Sequence, residues 1–97
     1  MAQYDVHALG DGTLVLDCQA DVLAALDTRF VVPLLPLGVV QRIDRLNPVL
    51  CVHGEEYVLM SQGAATVPKG ELKTNVAMCR DDRYAILNAL DVLITGS

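Results

Sequence analysis

Residues Tyr4–Cys18 read YDVHALGDGTLVLDC, and the rest of the predicted fold builds on this segment. Its first five residues alternate between apolar and polar side chains, with Asp5 and His7 on the polar face, and this two-residue period is typical of a half-buried strand. Gly10–Gly12 then supplies a turn, because glycine tolerates positive φ. Thr13–Cys18 follows as the returning strand. The sequence therefore begins with a predicted β-hairpin.

The next apolar segment along the chain is Arg29–Leu35, which is rich in β-forming residues but contains Pro33. Proline cannot donate to a ladder of hydrogen bonds, so this strand should lie at a sheet edge, bend or carry a bulge. A second hairpin is predicted where Pro48–Val52 and Glu56–Met60 flank a His-Gly-Glu turn. One more short strand is predicted at Ala64–Pro68.

The pattern changes after Asp81, where apolar side chains recur every three or four positions. These side chains are Tyr84, Ile86, Leu87, Leu90, Leu93 and Ile94. Their spacing predicts an amphipathic helix of about 14 residues. Asp81 and Asp82 fall in its predicted first turn, and Gly96 stands where a C-cap glycine belongs. Three segments stay undetermined: Asp21–Leu26, Gly38–Leu46 and Lys69–Met78.

Composition predicts one domain over residues 1–97. The 53% of hydrophobic residues exceeds what a small monomer needs, which favours a homodimer. A net charge of −5 argues against direct binding to nucleic acid and to anionic membranes. The sequence shows no signal peptide and no apolar run of roughly 18–20 residues, so we expect a cytoplasmic protein without a membrane segment. The three cysteines, Cys18, Cys51 and Cys79, are expected to be reduced thiols.

The residues that carry chemistry form no recognisable constellation. His7 and His53 lack a second ligand at metal spacing, and both are expected to be solvated. Cys18 and Cys51 lie in apolar strand patterns, where cysteine behaves as a small hydrophobe. Cys79 could have a lowered pKa beside Arg80 near a helix start, but an inert thiol is the simpler interpretation. We therefore predict no catalytic residues, no metal, no cofactor and no enzyme activity.

Three stretches resemble the CcdB family of toxins. Asp17–Leu23 is similar to the family's Asp-Val-Gln-Ser-Asp followed by two aliphatic residues, and Arg29–Leu34 is similar to its Arg, an apolar residue and Val-Ile-Pro-Leu. Leu46–Pro68 keeps the family's spacing of a proline, a glutamate, a methionine and a Val-Pro pair. The order and spacing of these motifs cover nearly the whole chain, so the sequence is identified as a member of that family.

This resemblance implies a mostly β fold: an SH3-like barrel of the CcdB/MazF type with a small extra sheet and a C-terminal α-helix. It also implies a two-fold dimer that binds the A subunit of DNA gyrase, traps the cleaved DNA complex and is neutralised by a CcdA-like antitoxin. The gyrase surface that the resemblance implies consists of Tyr4, Val22, Leu23, Asp91, Leu93, Thr95, Gly96 and Ser97.

The sequence departs from the family pattern at both ends. The best-known members end in Trp-Gly-Ile, whereas this chain has Thr95, Gly96 and Ser97. A serine in place of a terminal isoleucine removes an apolar anchor worth roughly 1.5–3 kcal/mol when fully buried. The turn at Leu9–Thr13 is shorter than the family's loop, which meets the antitoxin.

Two other functions stay open at this point. The first is a non-toxic CcdB homologue that still binds an antitoxin and titrates it, which the altered tail favours. The second is an endoribonuclease of the MazF/Kid type, which shares the fold. The acidic charge and the missing catalytic constellation argue against the endoribonuclease.

Overall fold

The computed structural model describes residues 2–96, and Ser97, one of the predicted site residues, lies outside them. Over this range the chain forms seven strands followed by one α-helix. The strands are β1 (Asp5–Ala8), β2 (Leu14–Asp17), β3 (Thr28–Pro36), β4 (Val49–Val52), β5 (Glu55–Leu59), β6 (Ala65–Pro68) and β7 (Thr74–Met78). The helix α1 spans Arg83–Thr95. The prediction of a mostly β fold with a C-terminal helix is confirmed.

The strands form one antiparallel sheet in the order β4-β5-β3-β2-β1-β7, with β6 also paired to β3. The sheet curls into a half-barrel: after β4 the ring nitrogen Nε2 of His53 hydrogen-bonds the carbonyl oxygen of Val76 in β7, so the two edge strands approach each other. The small extra sheet implied by the resemblance is not separate, because β5 and β6 both join β3 within this one sheet.

Strand β3 is central, so of the three arrangements expected for its proline (an edge, a bend or a bulge) the structure excludes the edge. Leu34 and the residues after it pair with β5, whereas Thr28–Val31 pairs with β6. Pro33 lies between the two partners, and its carbonyl oxygen accepts a hydrogen bond from the N–H of Met60 at 2.9 Å. In a strand, the N–H and C=O groups of one residue point to the same side. The nitrogen of Pro33 therefore points to the place where β3 changes its partner from β6 to β5, and no hydrogen bond between the described strands requires an N–H there. Its ring packs on Gly63, where a Cβ would come within 3.3 Å of Cγ of Pro33.

Both predicted hairpins are present. The β4–β5 turn consists of His53 and Gly54, whose φ angles of 52° and 79° are both positive. Two consecutive positive φ values are the mark of a type I′ turn, which matches the twist of the flanking strands. The segment Lys69–Met78, which the sequence left open, contributes a 3₁₀ turn at Lys69–Glu71 and then strand β7.

The main core lies on one face of the sheet, under α1. Ile86 and Ala89 of the helix are fully buried there. The strand residues of this core include Val6, Leu16, Val32, Leu34, Leu50 and Leu59. A smaller cluster of Val15, Val31 and Leu72 covers the opposite face. Both faces of the central strands are therefore covered.

The second cluster corrects the expectation that His7 is solvated. His7 is only 3% exposed and Asp5 is also buried. His7 lies directly opposite Val15, so the two side chains share a face, and Val15 packs with Leu72. The alternation in β1 is real, but its polar face is covered by the segment before β7.

Candidate functional site

The helix α1 divides its apolar residues between two sides, whereas the sequence predicted one stripe. Ile86, Ala89 and Leu90 face the core. Tyr84 and Ile94 are 73% and 80% exposed, and Leu87 is also exposed. Tyr84, Leu87 and Ile94 are spaced by three and seven positions and so form a second stripe along the outer side of the helix. We call these three residues the outer stripe of α1.

The predicted residues at the end of the helix are placed together by its last turn. The hydroxyl of Thr95 donates a hydrogen bond to the carbonyl oxygen of Asp91 at 2.7 Å. Gly96 has φ of 78° and donates its N–H to the carbonyl oxygen of Val92 at 2.8 Å, which confirms it as the C-cap. Leu93 is 41% exposed. The last turn of α1 therefore exposes both polar groups, at Thr95 and Gly96, and an apolar side chain, Leu93.

Val22 and Leu23 lie on a 3₁₀ turn, Asp21–Leu23, that follows β2. Val22 is 87% exposed and Leu23 is about half exposed. Neither side chain packs in the core of this chain. Both side chains therefore lie at the surface of this chain.

Tyr4 is the predicted site residue that the structure buries. It belongs to the main core with only 5% of its surface exposed. Its N–H donates to the carbonyl oxygen of Asp17 at 2.6 Å, and its carbonyl oxygen accepts the N–H of Cys79 at 2.8 Å. Burial raises the pKa of its hydroxyl. Tyr4 therefore connects the end of β2 to Cys79, directly after β7, and most of its side chain lies in the core and not at the surface.

The contacts divide the predicted residues into two groups. Gln3, next to Tyr4, donates its N–H to a carboxylate oxygen of Asp21 at 2.8 Å, which ties the 3₁₀ turn to Tyr4. The carbonyl oxygen of Tyr4 in turn accepts the N–H of Cys79, which precedes the 3₁₀ turn Arg80–Asp82 that leads into α1. The group of Asp91 and Thr95 lies at the other end of this 13-residue helix, roughly 20 Å long.

The structure also contains a buried polar cluster that the sequence reasoning missed. Arg29 and Asp17 form an ion pair, and His7 lies on the same sheet face. The two ring nitrogens of His7 have no hydrogen-bond partner among the described residues. The sequence did contain a signal for this ion pair: two residues of opposite charge stand at the ends of consecutive apolar strands. Asp17 ends the first strand and Arg29 begins the next. Both residues lie in motifs that resemble the family, but the resemblance implies no role for either.

The three thiols are free and differ in exposure. Burial raises the pKa of Cys18 to about 12 and that of Cys79 to about 11. The lowered pKa considered for Cys79 is therefore wrong, because burial of the thiol, and after it the charge of Asp82, raise its pKa. Cys51 is exposed on the edge strand β4, not buried as its apolar neighbours suggested.

Comparison with known proteins then decides the family. A family model described as CcdB protein matches residues 3–96. This chain belongs to the CcdB family. Membership identifies this CcdB-family chain as a toxin of a toxin–antitoxin system. The comparison with curated proteins gives no match.

Three solved structures share this fold: two are described as endoribonucleases and one as a MazF toxin. An endoribonuclease from a mycobacterial species has a TM-score of 0.80 at 14% identity, over 97% of this chain and 90% of that chain. The Mycobacterium tuberculosis toxin MazF-mt6 has a TM-score of 0.78 at 16% identity, over 93% and 95%. A mycobacterial endoribonuclease in complex with its cognate antitoxin has a TM-score of 0.79 at 15% identity, over 97% and 94%. At these identities the likeness shows that the CcdB-family chain shares their fold.

No helix among residues 2–96 is both long and apolar enough to cross a membrane. Within the same range, no three His, Cys, Asp or Glu side chains come together as a metal site.

Proposed function

We propose that this CcdB-family toxin acts as a dimer that binds the A subunit of DNA gyrase inside the cell and traps the cleaved DNA complex. A cognate antitoxin neutralises it. The observation that carries the proposal is the exposure of large apolar side chains on two ordered elements, the 3₁₀ turn with Val22 and Leu23 and the end of α1 with Leu93. Exposed apolar patches on small folded proteins mark contacts with other proteins.

The proposed gyrase surface combines these two groups. Val22, Leu23 and Leu93 supply apolar contact, and Asp91, Thr95 and Gly96 supply the polar end of the helix. Ser97, which lies outside the described residues, belongs to the proposed surface by the family resemblance alone. Tyr4 is buried and contributes through its backbone, which hydrogen-bonds Asp17 at the end of β2 and Cys79 before α1. The outer stripe of α1 is the proposed dimer contact, and a two-fold dimer brings two copies of the surface to one target.

The proposal is for a binding protein and not an enzyme. The described residues do bring an acid, a base and a cation together, in the cluster of Asp17, His7 and Arg29. These side chains are 0%, 3% and 1% exposed, so a phosphodiester has no access to them. The acidic net charge also opposes an RNA-binding surface.

The test is a DNA-cleavage assay with purified gyrase from the chain's own host. Linear DNA that accumulates with the purified toxin, and disappears when its antitoxin is added, is the expected result. A folded dimer without effect at high micromolar concentration would contradict the proposal and favour the antitoxin-titrating homologue. Parallel incubation with cellular RNA detects ribonuclease activity, and defined cleavage sites there would favour the endoribonuclease.

A further inference from the structure

The 3₁₀ turn Asp21–Leu23 projects Val22 into solvent, yet the loop around it is anchored to the sheet. Gln19, which precedes the turn, is itself buried with 8% of its surface exposed. A buried amide side chain beside an exposed turn needs a physical reason, because burying an amide without hydrogen bonds is costly.

Both ends of the Gln19 amide are hydrogen-bonded to backbone. Its Nε2 donates to the carbonyl oxygen of Leu23 at 3.0 Å. Its Oε1 accepts the N–H of Phe30 in β3 at 3.0 Å. Its own N–H donates to Oδ1 of Asp17 at 3.0 Å. The side chain therefore bridges the last turn residue and the central strand.

The side-chain amide of Gln19 replaces a backbone peptide group where the hydrogen-bonded pairing of β2 with β3 ends. Strand β2 ends at Asp17, and the N–H of Cys18 still donates to the carbonyl oxygen of Phe30 at 2.9 Å. Beyond that point the backbone leaves the sheet, so the N–H of Phe30 needs another acceptor. Oε1 of Gln19 is that acceptor, and Nε2 of the same amide donates to the carbonyl oxygen of Leu23.

Other contacts hold the same loop from outside. The N–H of Gln3 donates to Oδ1 of Asp21 at 2.8 Å, and Nζ of Lys69 donates to the carbonyl oxygen of Ala24 at 3.1 Å. A loop fixed in advance loses less conformational entropy when a partner covers it, which strengthens binding without any new contact.

We propose that Gln19 is a positioning residue that holds the Ala20–Leu26 loop in its binding shape and so sets the affinity of Val22 and Leu23 for the protein partner. The proposal rests on the proposed function for the identity of that partner, the gyrase A subunit. Gln19 touches no partner in this arrangement, because it acts through the backbone of Leu23.

The test compares Gln19→Met, which keeps the length but loses both hydrogen bonds, with Gln41→Met at an exposed loop position. We expect Gln19→Met to weaken binding to the purified A subunit of gyrase by roughly tenfold, the effect of about one net hydrogen bond or two. Gln41→Met should bind like the unchanged protein. Hydrogen exchange should speed up at the amides of Leu23 and Ala24, while the amides of β2 stay protected.

A second pair of variants guards against misfolding of Gln19→Met. Asp21 is exposed, so Asp21→Ala releases the loop with little risk to the core, and Asp21→Asn keeps the acceptor for Gln3. Asp21→Ala should weaken binding and speed up exchange in the turn, and Asp21→Asn should restore both.

Unchanged affinity and unchanged exchange in a folded Gln19→Met would overturn the inference. So would loss of protection throughout β2 and β3, which would mean a general structural role. Failure of the unchanged protein to bind the purified gyrase protein counts against the proposed function instead. The exchange at Leu23 and Ala24 then decides the role of Gln19 by itself.

Discussion

Asp17 and Arg29 form an ion pair inside the sheet, in which Nη2 of Arg29 lies 2.7 Å from Oδ2 of Asp17. Nε of Arg29 donates to the same oxygen at 2.9 Å. The other carboxylate oxygen accepts the N–H of Gln19. Both side chains are withdrawn from water, so each charge depends on the other for stabilisation.

Removing one partner of this pair should destabilise the protein strongly. Arg29→Met leaves the charge of Asp17 buried and unpaired, and we expect it to lower the free energy of unfolding by about 3–5 kcal/mol. The double variant D17N/R29M should lose less, because no unpaired charge remains. Urea denaturation at pH 7 measures both.

The matched control for the buried pair is Asp44→Asn. It breaks the exposed pair between Arg42 and Asp44, whose N···O distance is 3.2 Å. Exposed pairs contribute about 0–1 kcal/mol, so this change should be nearly silent. Equal effects of Arg29→Met and Asp44→Asn would contradict the argument.

His7 predicts a loss of stability in mild acid. Burial lowers the pKa of His7 below its ordinary value, although the carboxylates of Asp5 and Asp17 act the other way. The folded protein therefore favours the neutral form of His7. The stability that goes with this form is complete above about pH 6.5, the pKa of histidine in the unfolded chain, and is lost progressively as the pH falls below that value. His7→Leu should flatten the change in unfolding free energy between pH 7 and pH 5.

Urea denaturation at pH 7, 6 and 5 tests this origin of the pH dependence, with His53→Gln as the control. His53 is exposed in the β4–β5 turn, and its replacement leaves the buried imidazole of His7 in place, so the slope assigned to His7 should remain. If His7→Leu retains the full slope, the buried imidazole is not its source.

The outer stripe of α1 predicts the dimer contact. Ile94→Asp removes an apolar side chain from the outer stripe and adds a second carboxylate three positions after Asp91 on the same helix face. Burying two like charges in an interface is costly. We expect it to convert the dimer to monomer at micromolar concentration while the helix stays folded. Sedimentation equilibrium and circular dichroism measure the two properties.

Ala85→Asp is the control for this charge, because Ala85 is also exposed on α1 and lies about 100° around the helix from Tyr84, on the side away from Leu87 and Ile94. It should leave the dimer intact. A dimer that survives Ile94→Asp would place the two-fold contact on another face.

Deletion of Thr95–Ser97 tests the proposed gyrase surface. The helix loses its last residue and the Gly96 cap, which costs roughly 0.3–1.5 kcal/mol, so the protein should remain a folded dimer. Growth arrest and gyrase-mediated DNA cleavage should both disappear. Unchanged toxicity of the shortened chain would remove the tail from the proposed site.

Periodicity and turn chemistry predicted most elements, because both act within a few residues. The hairpin turns at Gly10–Gly12 and His53–Gly54 follow from residues that accept positive φ, and the cap at Gly96 follows in the same way. The strand β7 was missed, since Thr74–Met78 is largely exposed and has no clear alternation. A strand of that kind is defined by its pairing with β1, which no local pattern contains.

The candidate site was predicted less evenly. Val22 and Leu23 are exposed, and their role in binding stays a prediction, whereas Tyr4 proved to be a core residue. The division of α1 into a core side and an outer stripe was invisible in the sequence, because apolar residues on both sides merged into one broad pattern. Which side is buried depends on where the sheet lies.

Residue order alone was enough to establish a β-rich toxin of the CcdB family with a capped C-terminal helix, since spacing and turn residues act locally and survive in the linear pattern. The folded chain was needed to show that Pro33 lies at a change of pairing partner in a central strand, that Asp17 and Arg29 are paired in the interior, and that Gln19 anchors the loop of Val22. Each of these depends on contacts between strands, where distance in space and not distance along the chain sets the energy.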